Sequence, residues 1–439
     1  MKDTPFDFDI VTKNIEKSKI ANIGKASIRE LKHLVNNIEK ETCKKFIRME
    51  MGVPGIEANK IAIEAEINAL RNGVASVYPE IEGVESLKIE TARFCKLFLD
   101  IDVSYLNCIP TVGSMQGGFA AFLTTNRIDK NKDTILFLDP GFPVQKQQCN
   151  ILGEKHVGFD VYDYRGDKLR AKLESYLSLG NISALVYSNP NNPSWICFTE
   201  RELAIIGELA EKYNTIVIED LAYFGMDFRN DISTPGKAPF QPTVAKYCSK
   251  YILLLSSSKA FSYAGQRIAM LVISDSLAQS VYPDLKRFYT TDNFGRTMIY
   301  GTIYALSAGT CHSTQYALAA IFKEVNEGRF NFVNVIKEYG DKAKVMKKLF
   351  VDNGFKIVYD KDEDKDLADG FYFTISYPNF SGEKLLRELL YYGISAISLS
   401  ITGSHREEGL RACVSLVNVE QFPELEQRLK IFNANNPIT

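Results

Sequence analysis

Short apolar runs punctuate the middle of the chain, each closing on polar or turn-forming residues: DTILFLDP around 133–140, ISALVYSNP around 182–190, NTIVIED around 214–220 and KYILLLSSS around 250–258. Between the second and third, TERELAIIGELAEKY (199–213) repeats Leu203, Ile206, Leu209 and Ala210 at helical spacing, behind a capping box of Thr199 and Glu202. β-rich runs alternating with helical patterns predict an α/β domain whose sheet is mostly parallel. A long helical stretch follows near 313–350, after which the pattern changes to GFKIVY, DGFYFTISY, a helix near 383–392, GISAIS, RACVSLV and a final helix from about 420. That second pattern predicts a smaller α+β domain. The charged DKDEDKD at 360–366 reads as a solvated loop, and no internal repeat or low-complexity linker interrupts the chain.

Composition narrows what such a chain does. Its 439 residues are 45% hydrophobic and 11% aromatic, enough to bury a sizeable core in more than one domain. Lysine and arginine (52) nearly balance aspartate and glutamate (54), and the formal charge of -2 offers no electrostatic footprint for nucleic acid or an anionic membrane. A small ligand is expected. No apolar run approaches a membrane span, and the start MKDTPFDFDIVTKNIEK has neither a basic n-region nor an apolar h-region, so a cytoplasmic location is expected. The eight cysteines are scattered without a CxxC pair and only four histidines accompany them, which argues against structural zinc and against a disulfide framework.

Open parallel sheets bind ligands where their strands run out, and five segments place polar groups there. In TVGSMQGG, Gly113, Ser114 and Met115 precede a helix whose free N–H groups and dipole favour an anion, although an ordinary turn and N-cap also account for Gly-Ser in that place. The nucleotide phosphate loops G-x-x-x-x-G-K-[ST] and G-x-G-x-x-G are absent. Phe142 in DPGFPVQ follows a Pro-Gly turn and offers its face either to a planar ligand or to the core. Two Asn-Pro pairs in YSNPNNPSW (187–195) fix a turn-rich loop. Asp220 and Tyr223 in VIEDLAYFGMDF stand just beyond an apolar strand, where Asp220 reads equally as a turn cap. Finally, LLLSSSKAFSYAGQR (253–267) sets Ser256, Ser258 and Lys259 at a strand end with Arg267 eight residues after the lysine; by itself it reads as a solvated loop lysine.

Taken together, in this order and spacing, these segments resemble the pyridoxal-phosphate-dependent aminotransferases of fold type I, in the class I and II group that includes aspartate aminotransferase. The resemblance covers nearly the whole chain and is most specific at NPNNP, at the Asp-x-x-Tyr of 220–223 and at SSSK with Arg267. It implies a large cofactor-binding domain over 56–329, with a mostly parallel sheet flanked by helices. A smaller α+β domain would be formed by 1–55 and 330–439. The resemblance further implies that Lys259 forms the Schiff base with the cofactor aldehyde, and that Arg267, Ser256, Ser258 and the Gly113–Ser114–Met115 turn bind its phosphate. Phe142 would stack on the pyridine ring, Asp220 would pair with the ring nitrogen, and Asn192 and Tyr223 would bond the phenolic oxygen. Arg411 in GLRACVSLV matches the family's carboxylate-binding arginine, and Gly52 in MEMGVPG its closing N-terminal loop. Tyr78 in VYPEIEG matches a tyrosine that reaches the neighbouring subunit's phosphate, which implies a homodimer with shared active sites; an ordinary core or interface tyrosine is the other reading.

The implied reaction is ping-pong transfer of an amino group between an amino acid and a 2-oxo acid. Two departures stand out. Asn-Pro is followed by Ser194 and Trp195, the only tryptophan of the chain, instead of the usual Thr-Gly, so Trp195 either narrows the substrate pocket or simply packs. The common Pro-Gly-x-x-Phe loop of the small domain is replaced by LSITGSHREEG. A β-lyase or decarboxylase on the same scaffold is the alternative outcome. A cofactor-binding regulator fused to a DNA-binding domain is disfavoured by the short segment before the match and by the charge. Arg296 in TTDNFGRTMIYG is a candidate side-chain cation that reads equally as a solvated arginine.

Overall fold

The apolar runs are the strands of one seven-stranded sheet: β1 (Cys108–Thr111), β2 (Thr134–Asp139), β3 (Lys155–Asp160), β4 (Ile182–Ser188), β5 (Ile216–Leu221), β6 (Tyr251–Ser256) and β7 (Ala269–Ile273), in the order β1-β7-β6-β5-β4-β2-β3. The five strands from β6 to β3 are parallel to their neighbours, whereas β7 runs antiparallel to both β1 and β6. Every residue of β1, β2, β4, β5, β6 and β7 is buried, and only the edge strand β3 alternates with solvent. Strands covered on both faces need no polar alternation, which is why the sequence shows near-continuous apolar runs.

The computed structural model describes residues 3–438, and the chain divides into two units. The larger, Ile56–Asn191 with Cys197–Ile336, holds this sheet. One core gathers Ile109, Phe137, Val186, Ile218, Leu254 and Leu271 from the strands with Ala121 and Phe122 from helix α1 (Gly113–Thr125). Helix α2 (Pro143–Leu152) follows β2, and helix α3 (Glu200–Lys212) follows β4. The expected cap of α3 is present: Thr199 Oγ1 accepts from the Glu202 amide at 3.3 Å and Glu202 Oε2 accepts from the Thr199 amide at 3.0 Å. The same buried carboxylate takes both arms of Arg165, at 2.7 and 2.8 Å.

The smaller unit comprises Met1–Gly55, Asn192–Ile196 and Lys337–Thr439. Its antiparallel sheet has the order β10-β11-β9-β8, with β8 (Lys356–Ile357), β9 (Tyr372–Ser376), β10 (Ile397–Ser398) and β11 (Leu410–Cys413). Arg411 stands opposite both Thr374 and Ile397. Ile47–Arg48 pairs in parallel with Ile394–Ser395, so GISAIS feeds two different sheets.

Several expectations change in detail. The helical stretch near 313–350 is two helices, α4 (His312–Asn326) and α5 (Phe332–Asp352), separated at Gly328, whose φ of +70° ends the first. The charged 360–366 segment is a small hairpin pairing Lys361–Asp362 with Lys365–Asp366. The larger unit extends to Ile336 because Phe332, in the first turn of α5, packs on Phe261 at 5.2 Å and Phe98 at 5.8 Å. Asn192–Ile196 groups with the smaller unit because Trp195 lies on Tyr372 and Gly370. No helix among the described residues is long and apolar enough to cross a membrane.

Candidate active site

Strand directions bring the polar segments of the larger unit to one edge of its sheet. Because β7 reverses twice between β1 and β6, β1 points the same way as the parallel strands. The residues after β1 (Gly113), β2 (Phe142), β5 (Tyr223) and β6 (Lys259), with Asp220 as the penultimate residue of β5, therefore share the carboxyl edge. Arg267 joins them because it precedes the antiparallel β7.

At the start of α1, Gly113 has φ +66°. A Cβ there would lie 2.5 Å from Arg267 Nη2, so only glycine lets the guanidinium rest over the helix N-terminus. Arg267 is held by its own turn, Nη1 donating to the Ala264 carbonyl at 2.7 Å, and no carboxylate pairs with it among the described residues. Ser114 Oγ is buried with no hydrogen-bond partner. Met115 contributes backbone: its carbonyl accepts from Gln148 Nε2 at 2.8 Å, while its side chain is exposed. A cation, an orphaned hydroxyl and free helix N–H groups around one point make an anion site.

Phe142 is the half-buried N-cap residue of α2, directly before Pro143. Its loop is tied down by Asn191 Nδ2, which donates to the Pro140 carbonyl at 2.8 Å. Asp220 is 7% exposed. Its Oδ2 accepts from Gln145 Nε2 at 2.9 Å and its Oδ1 from the Ala222 amide at 3.1 Å; no cation pairs with it among the described residues. Burial pushes its carboxyl up to about 6, against the pull of those two bonds. Tyr223 is buried on the turn that follows.

Lys259 is half-buried three residues beyond β6. Its loop is rigid on both sides: Ser256 Oγ accepts from the Ser258 amide at 3.1 Å, Ser257 Oγ donates to the Ile268 carbonyl at 2.5 Å, and Phe261 is locked between Phe322 and Phe332. Tyr78 is 90% exposed, on a segment whose Val77 carbonyl lies 3.1 Å from His312 Nδ1.

The smaller unit holds a second constellation. Arg411 is 1% exposed. Nη1 donates to Asn192 Oδ1 at 3.2 Å and Nη2 to the Glu50 carbonyl at 2.8 Å, while Nε has no partner. Its Cζ lies 4.3 Å from the Tyr372 ring centroid. A buried guanidinium bonded only to neutral oxygens keeps a full charge for an anion. Gly52 is packed against Tyr372, whose hydroxyl would be 2.0 Å from a Cβ there. Trp195 is fully buried.

Sequence reasoning missed Gln145, Gln148 and Tyr372, and gave Asn191 no role beyond its place in NPNNP. Gln145 and Gln148 follow Phe142 at helical spacing and so face the same edge, a signal visible only once α2 is placed.

These residues fit pyridoxal phosphate. The orphaned Ser114 hydroxyl, the Gly113 cradle and the unpaired Arg267 suit its phosphate, and the cation-free buried Asp220 suits a protonated ring nitrogen. The sequence profile of aminotransferase class I and II matches residues 44–429. The chain is 24% identical over 361 residues to a probable aspartate aminotransferase of Methanocaldococcus jannaschii, covering 76% of this chain and 88% of that protein. It is 23% identical over 338 residues to an aspartate aminotransferase of Pyrococcus horikoshii, covering 76% and 80%. Among solved structures, an alanine aminotransferase from Pyrococcus furiosus matches with a TM-score of 0.75 at 18% identity, over 97% of this chain and 99% of that one. A mutant aspartate aminotransferase of Thermus thermophilus matches with a TM-score of 0.74 at 16% identity, over 94% and 97%. With a family profile spanning most of its length and a matching fold, the chain belongs to the class I and II aminotransferases, pyridoxal-phosphate-dependent enzymes of fold type I.

Proposed function

We propose that this aminotransferase moves an amino group between an amino acid and a 2-oxo acid with Lys259 as its catalytic base and acid, Asp220 as the partner of the cofactor ring and Arg411 as the receptor for the substrate α-carboxylate. When bound, pyridoxal phosphate supplies an aldehyde that carries the amino group and a ring that accepts the electrons left at the substrate Cα. The observation that carries this reading is Asp220: a carboxylate buried without a cation, at the strand end beside the Lys259 loop, is held by two neutral donors and would gain its missing counter-charge from a ring N–H.

Each side chain then has a physical task. With the cofactor bound, Lys259 Nζ would be its covalent anchor and, once freed by substrate, the base that takes the Cα proton and the acid that returns it. Ser114, Ser256, Ser258, Arg267 and the amides of Gly113–Met115 would anchor the phosphate, so that binding energy remote from the reacting carbon orients the ring. Phe142 would stack on the ring, and Tyr223 and Asn192 are the candidate partners of its phenolic oxygen. Arg411, kept straight by Asn192 and Glu50, accepts the carboxylate through its planar fork, with Gly52 in the loop beside it. Because the same carboxylate clamp serves both the amino acid and the 2-oxo acid, the two half-reactions use one site in alternation.

A homodimer sharing its sites is part of this reading, supported by the exposure of Tyr78 beside exposed Val77. Eight free thiols support a reducing, cytoplasmic setting. The test is to supply the holoenzyme with one amino acid at a time and identify the products. A 2-oxo acid with the amino group retained on the enzyme is expected; pyruvate with ammonia, or an amine with carbon dioxide, would replace this reading by a lyase or a decarboxylase.

A further inference from the structure

Three unusual local features of the smaller unit meet at one tyrosine. Trp195 has φ +67°, a left-handed conformation that a bulky residue adopts only where its surroundings hold it. Its ring fills the space over Gly370, where a Cβ would lie 2.1–2.2 Å from the indole. It meets the Tyr372 ring edge to face, with centroids 6.0 Å apart and planes at 72°. Tyr372 is in turn fixed at its far end, its hydroxyl occupying the space that only a glycine at position 52 leaves. The face of Tyr372 lies on the Arg411 guanidinium at 4.3 Å.

We infer that Tyr372, buttressed by Trp195, is the positioning residue for Arg411. This rests on the reading of Arg411 as the carboxylate receptor. An aromatic face attracts a cation without neutralising it, and unlike a carboxylate it does not take up the N–H donors that a substrate carboxylate needs. A carboxylate in that place would hold the arginine equally well but would compete with substrate. Asn192 Oδ1 and the Glu50 carbonyl each engage one Nη, and the ring fixes the plane in which the remaining donors point. The departure from Thr-Gly to Ser194-Trp195 thereby acquires a role: the indole sets the ring that sets the arginine.

The experiment uses Tyr372→Leu, which removes the face, and Tyr372→Phe, which keeps it. Two readouts are followed: the split between KM and kcat for an active amino acid, and the fluorescence of Trp195, the chain's one tryptophan, on titration with propionate at constant ionic strength. Tyr372→Leu should raise KM and the propionate midpoint by about 10-fold, with a smaller effect on kcat and no change in cofactor affinity. Tyr372→Phe should match the wild type. Arg411→Gln separates the two levels of inference: if propionate binds this variant as it binds wild type, the reading of Arg411 fails. If Arg411→Gln abolishes binding while Tyr372→Leu retains wild-type values, the positioning role alone is overturned. Should Tyr372→Leu fail to fold, Trp195→Phe leaves the tyrosine in place with a shorter buttress. Propionate inhibition of that variant should weaken about 3-fold, and an unchanged inhibition constant would likewise overturn the inference.

Discussion

Asp220 is a carboxylate kept from water with an amide and a backbone N–H as its only support, and its energetics follow from that alone. Its folded-state pKa of about 6 lies above the ordinary 3.8, so the folded apoprotein binds this proton more tightly than the unfolded chain. The ionised form therefore opposes folding above pH 6, and the penalty fades as pH falls from 6 towards 4. Asp220→Asn should raise the stability of the apoprotein at pH 7.5 by up to about 3 kcal/mol, a gain that shrinks in urea titrations at pH 5. The same variant should lose turnover, because an amide cannot hold the ring nitrogen protonated. Lys259→Ala should retain the cofactor through phosphate and ring contacts but lose turnover on the order of 1000-fold. Borohydride should no longer fix the cofactor to the peptide containing residue 259; attachment to a different lysine in the wild-type protein would refute the assignment.

At the scale of elements, α2 ties three parts of the proposed cofactor site together. Gln145 bonds Asp220, Gln148 bonds the Met115 carbonyl of the phosphate turn, and Lys146 pairs with Asp139 at 2.6 Å, closing the loop that carries Phe142. One helix thus sets the spacing between Asp220, the Gly113–Met115 turn and Phe142, the residues proposed to meet the ring nitrogen, the phosphate and the ring face. Gln145→Leu removes a hydrogen bond to a charged group, which contributes roughly 1.5–3 kcal/mol. Titrating the apoprotein with pyridoxal phosphate should show affinity weakened about 10-fold or more, and a wild-type dissociation constant would show that Asp220 is held without α2. The Lys259 loop has the same logic. Phe261, two residues on, is anchored in an aromatic cluster with Phe94, Phe322 and Phe332, so the lysine sits on a fixed base.

For the whole molecule, the decisive question is whether one chain completes a site. Tyr78 is too exposed to serve its own core and is proposed to reach a partner's phosphate. Refolding Lys259→Ala chains with Tyr78→Ala chains should then restore activity: in the mixed dimer one site carries both lesions, while the other combines an intact lysine with an intact tyrosine. Two-fold symmetry requires this outcome if the tyrosine crosses the interface. Activity equal to the sum of the two parents, with mixed dimers demonstrated by mass spectrometry, would remove Tyr78 from the shared site.

The sequence by itself determined the mostly parallel sheet and the polar segments that follow its strands, because these depend on local signals: apolar runs long enough for buried strands, a capping box at Thr199 and Glu202, and short motifs such as SSSK whose order is preserved along the chain. It also exposed Trp195 as an oddity, without saying what the indole does. Tertiary structure alone decided the rest. Gln145 and Tyr372 belong to no motif, and NPNNP does not say what Asn191 bonds, since a side chain's partner tens of residues away is chosen by packing and not by its neighbours in sequence: Gln145 meets Asp220, Asn191 meets Pro140, and Tyr372 meets Arg411. The domain boundary moved for the same reason. Phe332 and Trp195 joined the units that buried their rings, and burial is a property of the folded surface that no local pattern records.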